Sequence, residues 1–142
     1  MKKSIRRAFS VGFVSTMALA GCALKGTVVN ISEQQTQIEH VHLKDRRSLI
    51  IYDGNGTLDI PLSAVQQVSV SAANSRVIGG DLFYPAQIIF QKNGTVLGGK
   101  PDEAYNDNRV YVCVADEICG ERDGGSMCIP LDAISKIEFP KQ

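Results

Sequence analysis

Short apolar runs separated by turn residues dominate the pattern of this chain. Leu49–Tyr52 and Thr57–Ile60 are two such runs, and Asp53-Gly54-Asn55-Gly56 lies between them. Runs rich in β-branched residues on either side of glycine and asparagine predict a β-hairpin. The same reasoning predicts hairpins around Lys92-Asn93-Gly94 and Asp123-Gly124. We therefore expect an all-β fold.

Strict alternation marks a further strand between Ile38 and Leu43. It predicts one face carrying Ile38, His40 and His42, and an opposite face carrying Glu39, Val41 and Leu43. This is the pattern of a half-buried strand.

An internal repeat runs beneath this order. The segment Gly56–Val65 matches Gly125–Ile134 at an offset of 69 positions, and both copies contain Pro-Leu followed by apolar residues three apart. Upstream, Gly26-Thr27-Val28-Val29 matches Gly94-Thr95-Val96-Leu97 at an offset of 68. The repeat predicts two similar units, about 26–70 and 94–139, each ending in hairpin, helical turn and strand. We expect them to pack as one barrel-like body.

That order of elements resembles the small barrels of the Sm-like kind, in which a one-turn helix precedes the closing strand. The resemblance is one of topology and rests on no diagnostic motif. It implies a shape and carries no activity.

The N-terminus has the pattern of an export signal. Four basic residues precede an uncharged run from Ala8 to Ala20, which is shorter than the roughly 20 residues that span a bilayer. Leu19-Ala20-Gly21-Cys22 then resembles the lipobox of bacterial lipoprotein precursors. The resemblance implies removal of residues 1–21 and acylation of Cys22, including palmitate, with residues 22–142 forming the globular domain. In bacterial lipoproteins, an aspartate directly after the modified cysteine is a common signal for retention in the inner membrane. This chain has Ala23 at that position, which implies the outer membrane, facing the periplasm, in a cell with two membranes.

Charge changes once the signal is set aside. Four of the 15 basic residues lie in it, which leaves 11 against 15 acidic residues, a net charge of −4. This balance argues against nucleic acid and against electrostatic binding to anionic headgroups as partners. The expected membrane attachment is through the acyl chains.

Three cysteines follow Cys22, at positions 113, 119 and 128. Thiols outside the cytoplasm tend to be oxidised, so a pair close in space predicts a disulfide. A hairpin centred on Asp123-Gly124 places Cys119 opposite Cys128, which we favour. Cys113 could instead pair with Cys119 across a turn at Ala115-Asp116-Glu117. If it does not, Cys113 is a buried apolar residue or a reactive thiol.

Signals for a metal site are weak. His40 and His42 could chelate a metal ion, with Cys113 or a carboxylate completing the site. A metal-binding or thiol-redox protein that uses His40, His42 and Cys113 is therefore the alternative function. Asp53-Gly54-Asn55-Gly56-Thr57 begins like a calcium loop, but Leu58 stands where that loop needs glycine. The loop carboxylates Asp102, Glu103 and Asp107 are typical of a solvated surface. We predict no cofactor and no metal.

Catalytic motifs are missing from the sequence. It contains no Gly-x-Ser-x-Gly elbow and no glycine-rich phosphate loop after a strand. We therefore expect a non-enzymatic, lipid-anchored protein of the cell envelope. It would serve as an interaction or structural module, with another envelope protein or a glycan as partner.

Overall fold

One antiparallel sheet makes up the body of the protein. The computed structural model describes residues 24–103 and 109–142, and within them 12 strands form this sheet, which curls into a half-barrel. The predicted all-β fold is confirmed. In chain order the strands are β1 (Gly26–Asn30), β2 (Gln35–Leu43), β3 (Leu49–Tyr52), β4 (Thr57–Ile60), β5 (Val65–Val70), β6 (Arg76–Ile78), β7 (Asp81–Phe90), β8 (Val96–Leu97), β9 (Val110–Cys113), β10 (Glu117–Arg122), β11 (Gly125–Pro130) and β12 (Ile134–Glu138). Single 3₁₀ turns at Leu62–Ala64 and Leu131–Ala133 precede β5 and β12.

The order of strands across the sheet is symmetric about its centre. It runs β11-β10-β2-β1-β12-β5-β7-β9-β3-β4, with the short strands β6 and β8 paired to β7 beside this path. From the central pair β12·β5, each arm continues with corresponding strands and ends in a hairpin. The β3–β4 hairpin pairs with β9, whereas the β10–β11 hairpin pairs with β2. The hairpin at the end of each arm therefore comes from one half of the chain and pairs with a strand from the other half.

One part of this symmetry differs from the sequence match. The strand in the position equivalent to β1 is β7, since each pairs with one of the two central strands. Gly94–Leu97, which matches the start of β1 in sequence, contributes β8 and pairs with Ile88 and Ile89 at the side of the sheet. The long pairings of β7 with β5 and β9 decide its place, and the four-residue sequence match does not.

The two hairpin turns explain their local sequences. Asp123 and Gly124 both have positive φ, 53° and 79°, as a type I′ turn requires, and Arg122 pairs with Gly125 across it. In the other turn the Asp53 carboxylate accepts hydrogen bonds from the backbone N–H groups of Asn55 and Gly56, at 2.9 and 3.0 Å. These bonds hold the pKa of Asp53 below its ordinary value, the Asn55 bond contributing most.

Equivalent apolar positions of the two halves are buried together. Leu62 and Leu131 are both buried, and so are the residues three and six positions after each of them. These side chains are Val65 and Ile134, then Val68 and Ile137. All of these side chains except Leu62 and Val65 help to line a cavity of about 10 Å³, which is close to the smallest space that holds one water. The concave side of the half-barrel is thus filled by side chains.

The predicted alternation of β2 is wrong after Glu39. Ile38, Val41 and Leu43 are all buried, whereas His40 and His42 are exposed. A β-bulge causes this, because Glu39 pairs with Glu121 and His42 with Cys119, so β2 has one more residue than β10 between these pairs. His40 takes a positive φ of 55° in the bulge. The extra residue lets three apolar side chains reach the core where strict alternation would bury one or two.

Candidate functional site

The predicted cysteine pair lies in the β10–β11 hairpin. Cys119 and Cys128 are directly opposite each other, and their Sγ atoms are at disulfide distance, 2.07 Å. Among the described residues Cys113 is the free cysteine, and it is buried on β9 opposite Phe83. Cys22, the predicted lipidation site, lies outside the described residues.

The two histidines face solvent and contact nearby groups. His40 Nδ1 lies 3.4 Å from Glu121 Oε1, and His42 Nδ1 lies 2.8 Å from the backbone oxygen of His40. They belong to β2, whereas Cys113 belongs to β9 on the other arm of the sheet. Over residues 24–103 and 109–142 no group of three His, Cys, Asp or Glu side chains is arranged to hold a metal ion. Asp102 and Glu103 are exposed, and Asp107 lies outside the described part.

A polar groove lies where the described chain begins. Its volume is about 660 Å³, and charged side chains of both signs line it together with amides and Pro140. The charged ones are Lys25, Glu39, Glu121, Arg122 and Asp123. The backbone oxygen of Leu24, immediately before the groove, accepts a hydrogen bond of 2.9 Å from the N–H of Val41. Leu24 also packs against the core, so the chain is already held by the body two residues after Cys22.

A buried carboxylate that sequence reasoning missed joins two connections of the sheet. Asp116 is 9% exposed and accepts backbone N–H groups of Asp45, Arg46 and Glu117 at 3.1, 3.1 and 2.7 Å. The chain between β2 and β3 is thereby fastened to the turn between β9 and β10. The bond from Glu117 joins neighbouring residues and is typical of a turn. The other two bonds join residues that are 70 or more positions apart in the sequence, so no local pattern reveals them.

The sheet ends at two strands whose outer sides are unpaired within the described residues, β11 and β4. In the β10–β11 hairpin, the two-residue turn makes Arg122 and Gly125 a hydrogen-bonded pair. From this pair onward, opposite residues alternate between pairs without hydrogen bonds and hydrogen-bonded pairs. The Cα atoms of Cys119 and Cys128 are 4.1 Å apart, as in a pair without hydrogen bonds. The backbone N–H and C=O groups of Ser126 and Cys128 therefore point away from the sheet.

The outer side of β4 presents the same pattern. Asp53 N–H donates to Gly56 O at 3.2 Å, which makes these two residues the hydrogen-bonded pair that closes the loop. Alternation along the hairpin then points the backbone groups of Thr57 and Asp59 outward. These two residues stand 69 positions before Ser126 and Cys128, so the two edges are equivalent in the repeat.

No family model, curated protein or solved structure matches this chain. None of the helical turns in the described residues is long and apolar enough to cross a membrane.

Proposed function

We propose that this chain is a lipid-anchored protein of the cell envelope whose β-body is a non-catalytic interaction module. The observation that carries the proposal is the pair of sheet edges with outward backbone donors and acceptors. Unpaired edges accept a further strand from a partner, and proteins that avoid such pairing usually protect their edges. The partner is another envelope protein, with a glycan as the alternative that the polar groove favours.

The N-terminal contacts support the anchored arrangement. Leu24 is packed on the core and bonded to Val41. Leu24 follows Cys22 by two positions, and an extended chain spans at most about 3.6 Å per residue, so acyl chains on Cys22 would hold this end of the body against the bilayer. The polar groove beside Leu24 would then open close to the headgroups. In a cell with two membranes we place the protein on the outer membrane, facing the periplasm.

Anchoring is tested by Cys22→Ser, with Cys113→Ser as the matched control. We expect Cys22→Ser to abolish incorporation of labelled palmitate and to leave the protein uncleaved or soluble. The control should keep the label and the membrane fraction of the unmodified chain. Wild-type membrane association of Cys22→Ser after high-salt washing would refute the lipid anchor.

The interaction is tested on the full chain extracted from envelope membranes in mild detergent. We expect a defined partner, or a second copy, to copurify with the unmodified protein. The double variant Thr57→Pro with Ser126→Pro removes one outward N–H from each edge without breaking a bond of the sheet, and it should lose that partner. Equal recovery with both proteins would refute binding through the edges.

A further inference from the structure

The two equivalent edges differ in chemistry. β11 is six residues long, Gly-Ser-Met-Cys-Ile-Pro, and carries no charge. β4 is four residues long and carries Asp59 at the position equivalent to Cys128. A charge on an edge strand discourages pairing with another strand, so Asp59 protects β4 within its length, whereas β11 has only Pro130, at its end, as a protection of this kind. Met127 and Ile129 of β11 are partly buried against the core, which leaves apolar surface at this edge for a partner to cover.

We propose that β11 pairs with β11 of a second copy of this chain, antiparallel and centred on Met127. The inference rests on the proposed interaction module and names its partner.

The backbone pattern of β11 is complementary to itself in this arrangement. With Met127 on the two-fold axis, Ser126 lies opposite Cys128 of the second copy, and Cys128 lies opposite that copy's Ser126. Both residues point their N–H and C=O groups outward, so each of these two pairs exchanges two hydrogen bonds. Four backbone bonds would join the sheets. Pro130 has no N–H to donate, which limits the pairing to this centre.

Side chains favour the same centre. Met127 would face its own copy across the axis, as a pair without hydrogen bonds, in which side chains approach closely. Because Met127 already packs on the core, this contact would connect the apolar interiors of the two half-barrels. Two curled sheets would then form one continuous sheet.

The same arrangement is disfavoured at β4. Its outward residues Thr57 and Asp59 could pair in the same way, and Leu58, 45% exposed, would stand on the axis. However, Asp59 would then lie diagonal to its copy on the same face, within the range where like charges repel. An uncharged β11 has no such cost.

Membrane attachment supports a second copy as the occupant. Four backbone bonds and one methionine contact make a small interface, and interfaces of this size are weak between molecules free in solution. Copies tethered to one bilayer meet at a raised effective concentration, which converts a weak pairing into a populated one.

Photocrosslinking in cells tests the proposal on the full chain. A photoreactive phenylalanine analogue is placed at Ser126 in one variant and at Thr57, the equivalent position of the other edge, in the control. We expect light to produce a species of twice the chain mass from the Ser126 position and none from Thr57.

The outcomes separate this inference from the proposed function. A Ser126 crosslink to a different protein would overturn self-pairing while supporting an interaction module. Doubled mass from both positions alike would reflect crowding and would overturn the choice of β11. Absence of any crosslink at both positions would overturn self-pairing and also the binding of a partner protein through either edge, whereas the lipid anchor has its own test.

A second variant measures the pairing in purified, lipidated protein reconstituted into lipid vesicles, where the copies share one bilayer. Ser126→Pro removes two of the four proposed intermolecular bonds, one from each copy, and leaves the bonds of the β10–β11 hairpin in place. We expect the dissociation constant of the dimer to rise about tenfold or more, with Thr57→Pro unchanged. Retention of the wild-type dissociation constant in a folded Ser126→Pro protein, or a monomer in the unmodified one, would overturn the proposal.

Discussion

Replacing Asp116 with alanine should lower the free energy of unfolding by about 3 kcal/mol. The carboxylate is 9% exposed and accepts three backbone N–H groups, two of them from the distant residues Asp45 and Arg46. A hydrogen bond to a charged group contributes roughly 1.5–3 kcal/mol, and a donor left without a partner adds its own cost. The expected loss is smaller than the sum over the three hydrogen bonds because Asp45 is exposed, so its N–H can bind water once the carboxylate is gone.

The variant Asp116→Asn divides this effect into parts. The amide keeps one oxygen as an acceptor but presents an NH₂ group where the other oxygen accepted an N–H. We expect a loss of about 1–2 kcal/mol, between those of the alanine variant and the unmodified protein. Against the 5–15 kcal/mol typical of a domain, the alanine loss is large and corresponds to about 10 °C in melting temperature.

Denaturant unfolding under oxidising conditions measures both variants, with the slope checked for an unchanged two-state transition. Asp45→Ala is the matched control, since it removes an exposed carboxylate of the same connection and keeps the backbone N–H that Asp116 accepts. We expect the control to stay within about 0.5 kcal/mol of the unmodified protein. If Asp116→Ala also stays within that range, the carboxylate does not hold the two connections together.

Two further stability predictions concern β10. Replacing Cys119 and Cys128 together by alanine should lower the free energy of unfolding by about 2.5 kcal/mol, the loop-entropy value for their separation of nine residues. Peptide mapping under non-reducing conditions should recover the peptides of Cys119 and Cys128 joined. Recovery of Cys113 joined to Cys119 would overturn this pairing. Gly120→Ala should cost about 1–3 kcal/mol, because the added Cβ would lie 2.7 Å from the backbone oxygen of Glu39. Gly56→Ala meets nothing within 4 Å and should change the midpoint little; equal midpoints for both glycine variants would show that the close approach is relaxed at no cost.

Local signals predicted the hairpins well because a hairpin is specified by adjacent residues. A two-residue turn at Asp123-Gly124 fixes the register of the strands on both sides, and the structure pairs Cys119 with Cys128 accordingly. The Asp53–Gly56 loop was predicted as a turn for the same reason. The Asp53 carboxylate accepts hydrogen bonds from the backbone N–H groups of the residues two and three positions later.

The bulge at His40 could not be predicted from β2 alone. Alternation from Ile38 to Leu43 is regular in the sequence, but burial of both Val41 and Leu43 beside Ile38 requires one inserted residue. That insertion needs a partner strand that can approach closely, and Gly120 of β10 provides the space. The determinant lies about 80 positions from the strand that it bends, so no window of sequence contains both.

Strand order is non-local for a related reason. Apolar pattern and turn chemistry predicted where hairpins form, but not that the β3–β4 hairpin would pair with β9 and the β10–β11 hairpin with β2. The sequence match between Gly26–Val29 and Gly94–Leu97 is too short to reveal that β7 takes the place equivalent to β1. Two extended segments compete for that position, and the ten-residue β7 makes the longer pairings.

The exchange of hairpins explains why the sheet has two equivalent edges. Each half of the chain pairs its hairpin with a strand of the other half, and the two arms meet at the β12·β5 pair in the centre of the sheet. The last strand of each hairpin therefore lies at an outer edge. A repeat that retained identical residues at both edges would pair there without preference. The substitution of Asp59 on β4 against Cys128 on β11 removes that equivalence, since one edge carries a charge and the other a side chain held across its own hairpin. A difference at one repeated position can therefore direct association to one end of an otherwise symmetric sheet.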